Sequence, residues 1–489
     1  MSSLRKLLLH FSHFVSGSAL SMLLGLITFP ILTRLLSRED YGVLGLVTTT
    51  IAIAVAFAKG GLSDGIIRFY RDYADSPERL AQFTSTVLTR GMALTLVTVV
   101  IYVLLFPHIH KYLGIHDQYL SCFMVMAIYL FVRPLNIIVL NYLRALGRTF
   151  FYNAINVSIK SVCAVLSLLL LVYVIRELYG YFVGVVLAEL AGGIVLYSWL
   201  LKNYRVSFRN ISAGLTLNLL KFGLPLLLTE LSYLLLTYVD RYMIVAYHGE
   251  AMLGLYSVGY NLPSYINDLI MFSLSYAVVP IYTEMYAREG RAKTEVFLSR
   301  AMHYYLMAVI PICVGYYAVS SDLLVTLASS KYADAAVFSP IVLMGLVFMG
   351  MNSILYAGLY LEKKSLQILA IMFVAVVINI LLNLILLPHY GATGAAIATL
   401  VACVASSVLT SALAFRHIRV RFDLATVTYY LAASVFMGWL ILQISTPAEW
   451  LNLICRTLLG MLIIAVAILW REREIREFLL GFLPNTRRG

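Results

Sequence analysis

The sequence predicts an all-α polytopic membrane protein with about fourteen transmembrane helices. Its mean hydropathy is +0.89, 61% of its 489 residues are hydrophobic and only 12% are charged, so a water-soluble domain would lack polar surface. The apolar runs have the length of about 20 residues that a helix needs to cross a hydrocarbon core about 30 Å thick. They do not alternate between polar and apolar residues, which favours helices over a closed barrel.

Fourteen spans can be placed in order along the chain. The first is expected to be retained, because the apolar stretch after Arg5 and Lys6 lacks a convincing small-residue cleavage site and runs directly into the next helix. The predicted helices lie at about 11–37, 41–70, 82–106, 119–143, 152–175, 180–201, 219–240, 252–282, 296–319, 337–360, 366–388, 392–414, 425–444 and 448–470.

Lysine and arginine are concentrated in alternate loops. Cytoplasmic loops are enriched in these residues, and most of the 36 in this chain fall in one alternating set of segments, for example 202–209, 288–300 and 471–488. This pattern predicts an even number of spans with both termini in the cytoplasm. The net charge of +12 therefore reflects membrane topology, and no nucleic-acid partner is expected.

The cysteines and the short loops give no sign of catalytic or metal chemistry. The five cysteines are odd in number, show no CxxC spacing and fall inside apolar runs, so they are expected to be packing residues. The sequence has no HExxH motif, no phosphate-binding glycine-rich loop with Lys and Ser or Thr, and no long loop that could form an extramembrane catalytic domain. We therefore expect no metal, no cofactor and no enzymatic activity.

Three weak internal matches occur in the same order and at a nearly constant separation. Transporters are often built from repeated halves. The matching positions are Gly42 with Gly254, Tyr142-Leu143 with Tyr360-Leu361, and Gly180 with Gly391. A repeat of six helices returns the chain to its starting side, so the two halves are expected to be related by a pseudo-twofold axis along the membrane normal.

The repeat predicts a domain organisation of six, six and two helices. The expected domains are an N-lobe at 1–202 with helices 1–6, a cytoplasmic linker at 203–218, a C-lobe at 219–416 with helices 7–12, two further helices at 425–470, and a basic cytoplasmic tail at 471–489.

Three segments resemble a known family. They are FPILTRLLSREDYGVLGL at 29–46, GGLSDGIIRFYRDY at 60–73, and YVDRYMIVAYHGEAMLGLYSVGYNL at 238–262. They resemble the polysaccharide transporters, the Wzx-like O-antigen flippases, of the multidrug/oligosaccharidyl-lipid/polysaccharide exporter superfamily. The resemblance covers nearly the whole chain. It implies a two-lobed bundle whose central cavity opens alternately to each face of the bacterial inner membrane. The expected substrate is an undecaprenyl-diphosphate-linked oligosaccharide, moved from the inner to the outer leaflet.

Five basic side chains in the predicted N-lobe are candidates for substrate binding. An ionisable group in a span costs at least about 2.5–3.5 kcal/mol on insertion scales, so each one points to a function or to a partner. Arg34 and Arg68 lie near span ends, where they could equally snorkel to the head groups. Arg90, Arg133 and Lys160 lie about 12–15 Å inside their spans and must face protein or water. The functional hypothesis is that the five hold the diphosphate or acidic sugars, because a guanidinium group binds phosphate bidentately.

Acidic residues in the spans are candidates for coupling and gating. Glu189, Glu230 and Asp268 lie near the middle of spans six, seven and eight, where a carboxylate can exchange protons or bind sodium. The alternative is that they pair internally with the basic residues of spans three to five. Asp240 and Arg241, at the outer end of span seven, are expected to cap that helix and gate the external mouth.

The leading hypothesis is thus a lipid-linked oligosaccharide flippase that works by alternating access. One alternative is an ion-coupled small-molecule or multidrug exporter of the same superfamily, for which two extra spans and several N-lobe cations are atypical. A membrane-embedded glycosyltransferase or ligase is a further alternative, which would normally carry a large external loop. The expected partners are the lipid-linked oligosaccharide and membrane lipids, and polysaccharide polymerase machinery is an additional candidate.

Overall fold

The chain folds into helices throughout its described length. The computed structural model describes residues 20, 22–207 and 210–480, with side chains except at 271–277 and 478–480. In these ranges every regular element is helical and none is a strand, which confirms the all-α fold class. Residues 11–19 and 21 of the predicted first span, residues 208 and 209 of the linker and the tail beyond residue 480 lie outside the described residues.

Fifteen helices follow one another in the described chain. They are α1 (Met22–Leu35), α2 (Arg38–Lys59), α3 (Leu62–Tyr73), α4 (Pro77–Tyr112), α5 (Leu120–Ala145), α6 (Thr149–Leu169), α7 (Leu178–Asn203), α8 (Ala213–Glu289), α9 (Arg291–Leu327), α10 (Ser339–Leu355), α11 (Ala357–Leu361), α12 (Ser365–Ala414), α13 (Leu424–Leu442), α14 (Glu449–Arg471) and α15 (Arg473–Leu480).

The helices account for all fourteen predicted spans. Eleven helical segments of the described chain are long and apolar enough to cross a membrane. Two of them contain a break, at Gly249 (φ 77°) in α8 and at Gly391 (φ 53°) in α12. Only glycine adopts such positive φ values readily, so each break divides a long helix into two predicted spans. The shorter α1 is the described part of the first span.

The chain is organised in two compact units. Unit 1 contains the chain up to Ser257 together with Ser365–Ala402, and unit 2 contains Val258–Lys364 and the chain from Cys403 onward. The lobe boundaries predicted from the internal repeat divide the chain by symmetry, whereas these units divide it by compactness. The lobe boundaries therefore stay a prediction.

A buried aromatic cluster fixes the ends of α3, α4 and α5 in unit 1. Tyr70, Phe83 and Tyr142 pack edge to face with ring centroids between 5.9 and 6.4 Å apart. All three are buried, and each such pair contributes about 0.5–1.5 kcal/mol beyond its buried area. Since Tyr70 anchors one face of the short helix α3, the exposed Arg68 and Arg71 lie on its opposite side.

In unit 2, a buried ion pair attaches the last membrane helices to α9. Arg456 of α14 donates from Nη1 to Oδ2 of Asp322 on α9 at 2.6 Å, and from Nη2 to the carbonyl of Ile444 at 2.7 Å. The two charged side chains are 14% and 7% exposed. Met437 and Ile441 of α13 pack in the same region against α9 and α14. The charge in predicted span fourteen therefore has a structural partner.

Candidate functional site

Three arginines line a cavity of about 650 Å³ in unit 1. We call it the inner basic pocket, and its lining residues are Asp64, Ile67, Arg68 and Arg71 of α3, Arg144 and Ala145 of α5, and Phe222 and Leu226 of α8. The predicted topology places these helix ends toward the cytoplasm. Three guanidinium groups face a single lining carboxylate, so the pocket suits an anionic ligand.

The double glycine before α3 determines where the pocket forms. Gly60 and Gly61 have φ values of 53° and 69° and end α2 in a tight turn. An added Cβ on Gly61 would collide with the backbone of Gly223 in α8, so the turn packs directly against that helix. This close approach brings Phe222 and Leu226 to the wall opposite the arginines.

Polar contacts hold Arg144 at the edge of the pocket. Its Nη1 donates to Oδ1 of Asn141 at 3.4 Å, and its guanidinium lies 5.5 Å from the ring centroid of Tyr152. Asn141 in turn donates to the carbonyl of Ser63 at 2.9 Å, which ties α5 to the start of α3. Arg68 is 59% exposed and its nearest carboxylate contact is Asp72 at 3.9 Å. Exposed pairs of this length contribute at most about 1 kcal/mol, so Arg68 remains available to a ligand.

An ion pair joins α2 to α8 beside the pocket. Lys59 Nζ donates to Oε1 of Glu230 at 2.6 Å, and the side chains are 15% and 37% exposed. The Lys59 charge therefore has an internal partner, and so does Glu230, one of the coupling candidates.

A second pair lies in the interior of the α5–α7 region. Arg133 Nη1 donates to Oε1 of Glu189 at 3.2 Å, and Asn136 Nδ2 donates to the same oxygen at 2.8 Å. Glu189 is buried, Arg133 is partly buried, and Lys160 on α6 is close enough to interact electrostatically with Arg133. The structure thus brings three of the predicted site residues together, apart from the inner basic pocket.

Asp240 and Arg241 connect α8 to neighbouring helices. The fully buried Asp240 accepts a hydrogen bond from the hydroxyl of Tyr256, and Arg241 Nη1 donates to Thr49 of α2 at 2.9 Å. Thr399 of α12 lies beside Asp240 and accepts a hydrogen bond from Asn379 at 3.2 Å. The predicted gate pair is therefore part of a buried polar cluster.

The other predicted site residues are dispersed. Arg34 on α1 and Arg90 on α4 are exposed, and Arg90 donates from Nε to the hydroxyl of Thr216 at 3.4 Å. Asp268 lies on the part of α8 that belongs to unit 2 and is exposed. Among the five basic candidates, only Arg68 lines the inner basic pocket.

Two of the pocket arginines, Arg71 and Arg144, fall just outside the predicted spans at 41–70 and 119–143. Arg71 follows Arg68 by three residues and therefore lies on the same face of α3, a spacing that could have identified it. Arg144 directly follows predicted span four and the repeated Tyr142-Leu143 pair. The internal match of that pair was the one feature of the sequence that drew attention to this position. No local sequence pattern indicated that Phe222 and Leu226 of α8 would complete the pocket.

The outer ends of α2 and α8 cross at two glycines. An added Cβ on Gly42 would collide with the carbonyl of Glu250, and one on Gly254 would collide with the carbonyl of Arg38. Each glycine thus meets the residue four positions before the other, which is the reciprocal pattern of a twofold contact. We call this contact the outer glycine crossing. The carboxylate of Glu250 also accepts hydrogen bonds from the backbone N–H of His116 and contacts its Nδ1, both at 2.9 Å.

Comparison with protein families gives two matches. The family described as "Polysaccharide biosynthesis protein" matches residues 10–286, more than half of the chain, and the MatE family matches residues 225–385. No protein of curated function matches the chain in sequence.

Solved structures show the same fold. A lipid II flippase, MurJ, in an inward closed conformation has a TM-score of 0.79 at 18% identity, with 95% of this chain and 99% of MurJ covered. An inward-facing MATE family multidrug resistance transporter of the MOP superfamily has a TM-score of 0.68 at 15% identity, with 81% and 94% covered. A MOP superfamily transporter from Pyrococcus furiosus has a TM-score of 0.55 at 15% identity, with 84% and 94% covered.

Proposed function

The chain belongs to the polysaccharide biosynthesis protein family, a branch of the MOP superfamily of flippases and transporters, and we propose on this premise that it translocates an undecaprenyl-diphosphate-linked oligosaccharide of the O-antigen or capsule repeat-unit type. Transport proceeds by alternating access across the bacterial inner membrane, with both termini in the cytoplasm. The structurally similar MurJ is described as a flippase of lipid II. The matched families and structures are transporters or flippases, so they offer no support for the glycosyltransferase or ligase alternative.

The inner basic pocket is the observation that carries this proposal. Arg68, Arg71 and Arg144 converge on one cavity of about 650 Å³. A diphosphate carries several acceptor oxygens, and planar guanidinium groups bind them in pairs. The predicted cytoplasmic position of the pocket is where a substrate of the inner leaflet would be loaded.

Release toward the outside requires a second arrangement of the helices. The outer glycine crossing packs α2 directly on α8, so this end of unit 1 offers no passage there. In the proposed cycle the crossing separates when the cavity opens outward, while the contact between Gly61 and Gly223, which is already formed in this structure, keeps the inner end closed. Asp240 and Arg241 contribute to the gate through their bonds from α8.

The distribution of substrate between leaflets tests the function. In cells that make a diphosphate-linked oligosaccharide, depletion of the protein should cause the lipid-linked sugar to accumulate on the cytoplasmic side. Replacement of Arg68, Arg71 and Arg144 by Ala should reproduce that accumulation, whereas Arg79→Ala should not. Arg79 is a matched control because it is an exposed arginine close to the same helices but outside the pocket. An unchanged leaflet distribution after depletion would reject the flippase proposal.

One observation favours ion coupling, the feature shared with the small-molecule exporter alternative. Among the described residues, Oδ1 of the buried Asp240 and Oδ1 of the buried Asn383 have no hydrogen-bond partner. Asn383 donates to Asn379, which donates to Thr399 beside Asp240. Buried acceptor oxygens without donors are costly, and a cation bound at the Asp240 carboxylate would satisfy one of them.

Sodium dependence of stability tests this coupling site. A ligand that binds only the folded protein raises its unfolding temperature, so sodium chloride should stabilise the purified protein more than choline chloride does. Asp240→Asn should remove that difference, whereas Asp72→Asn, on the exposed face of α3, should keep it. Equal sodium effects in the parent and Asp240→Asn would exclude this cluster. Glu189, Glu230 and Asp268 remain predictions as coupling residues.

A further inference from the structure

An apolar groove runs along the outside of unit 1, separate from the inner basic pocket. It has a volume of about 680 Å³ and lies between α2, α4 and the first part of α8. Its walls include Phe57, Val97, Ile101, Leu105 and Leu224, each between 50 and 54% exposed. We call it the lateral groove. In a chain that spans the membrane, such half-exposed apolar walls face lipid.

The length of the lateral groove limits what fits in it. On α4 the lining extends from Leu94 to Ile109, which is about 22 Å at 1.5 Å per residue. The hydrocarbon core is about 30 Å thick. The groove therefore accommodates a chain shorter than the bilayer core, such as one fatty-acyl chain, and it is too short for an extended polyprenyl chain of many isoprene units.

Two exposed basic side chains lie at the inner end of the groove. Arg90 lies one helical turn before Leu94 on the same face of α4, and Lys221 directly follows the lining residue Leu220 on α8. Both basic side chains are exposed. The Nε of Arg90 makes a long hydrogen bond of 3.4 Å to Thr216, and the other guanidinium donors of this exposed side chain can reach an anion. An apolar channel that ends beside these two cations complements an amphipathic ligand with an anionic head.

We propose that the lateral groove binds an anionic phospholipid, with one acyl chain along α4 and the phosphate at Arg90 and Lys221. This assigns a lipid-binding role to Arg90, which is otherwise an unexplained charge deep in a predicted span. The site is independent of the transported substrate and does not rest on the proposed function. A bound chain between α2, α4 and α8 would fill the groove beside Gly60, where Leu94 already packs.

Lipid titration of the purified full-length protein tests the proposal. Delipidated protein in detergent should bind phosphatidylglycerol, detected by native mass spectrometry, and should bind zwitterionic phosphatidylcholine much more weakly. The double variant Arg90→Gln and Lys221→Gln should weaken phosphatidylglycerol binding about 30-fold, since each basic residue near a lipid head contributes about 1 kcal/mol. Arg79→Gln, which removes a basic residue away from the groove, should leave binding unchanged.

A groove-filling variant separates tail binding from head-group attraction. Ala54 lines the groove, so Ala54→Trp should block the acyl chain without removing charge. Ala425→Trp, at an exposed position on α13, is the matched control for adding a large side chain. Inorganic phosphate at the same concentration should not compete, because it lacks the chain.

Three results would overturn the proposal. The first is equal phosphatidylglycerol binding by the parent and the double charge variant. The second is equal binding by Ala54→Trp and Ala425→Trp in preparations that elute as monodisperse folded protein. The third is displacement of phosphatidylglycerol by a long-chain polyprenyl phosphate, which would assign the groove to the tail of the transported lipid instead.

Discussion

Gly42→Ala should shift this transporter toward an outward-open arrangement. The new methyl group would collide with the backbone carbonyl of Glu250 and would lie 2.8 Å from the backbone nitrogen of Gly254. Ordinary carbon contacts are about 3.5–4.0 Å. Because the obstacles are backbone atoms, no side-chain rotation relieves them, and α2 must move away from α8.

The size of the shift follows from the cost of overpacking. Inserting one methyl group into a well-packed contact typically costs about 1–3 kcal/mol. This cost falls only on the arrangement in which the outer glycine crossing is closed. If the open arrangement relieves it fully, the ratio of open to closed molecules rises about 5- to 150-fold.

Thiol accessibility from the outside measures that ratio. Ser257 is 1% exposed and packs on Gly45 near the crossing, so Ser257→Cys is a conservative reporter in a background without the five native cysteines. A membrane-impermeant maleimide should label this thiol faster when Gly42→Ala is present. Gly214→Ala is the matched control, because a Cβ at Gly214 meets nothing within 4 Å.

Two results would refute the reasoning. Equal labelling rates with and without Gly42→Ala would mean that the crossing does not govern outer access. A comparable increase in Gly214→Ala would mean that alanine substitution acts through general helix stability rather than through the collision. The amount of protein in the membrane must be similar in all variants for either comparison.

Three further predictions concern charged groups. Arg133→Met should lower the unfolding free energy of the detergent-purified protein by about 3–5 kcal/mol, because it leaves Glu189 buried and unpaired. Adding Glu189→Gln should recover most of this loss. Equal melting temperatures for the single and double variants would contradict the prediction. Lys59→Met should destabilise in the same assay by a smaller amount, since Glu230 is 37% exposed, and no change would show that the pair contributes nothing. The hydroxyl of Thr426 lowers the pKa of the helix-capping Asp423 below its usual 3.8, so its stabilising contribution is present above pH 3.8 and is lost as the pH falls through the lower folded-state pKa. The melting-temperature difference between the parent and Asp423→Asn should therefore shrink only in that acidic window, and a difference that stays constant into strong acid would contradict it.

Hydropathy and glycine positions determine much of this fold from sequence. The apolar runs located the predicted spans, of which the first is described only in part, because each must satisfy its backbone within lipid. The boundaries between spans seven and eight and between eleven and twelve were also predictable, since Gly249 and Gly391 provide the positive φ that breaks a helix. These signals are local, and a single sequence contains them.

Side-chain partners were much less predictable, because they depend on which helices pack together. Lys59 and Glu230 are 171 positions apart, and no sequence pattern indicated that α2 would lie against α8. The same limit separated Arg68, a predicted site residue, from Arg71 and Arg144, which fall just outside the predicted spans at 41–70 and 119–143. Internal ion pairs were an open alternative for Glu189, and only the packing of α5 on α7 identifies Arg133 as its partner.

The outer glycine crossing has a consequence for how the two halves of the gene can vary. In a symmetric dimer of half-length chains, one codon would supply the glycine on both sides of such a contact, so any substitution would alter both sides. The present chain encodes the two positions separately, as Gly42 and Gly254. A single substitution at either position therefore alters one of the two glycine contacts and leaves the other glycine in place.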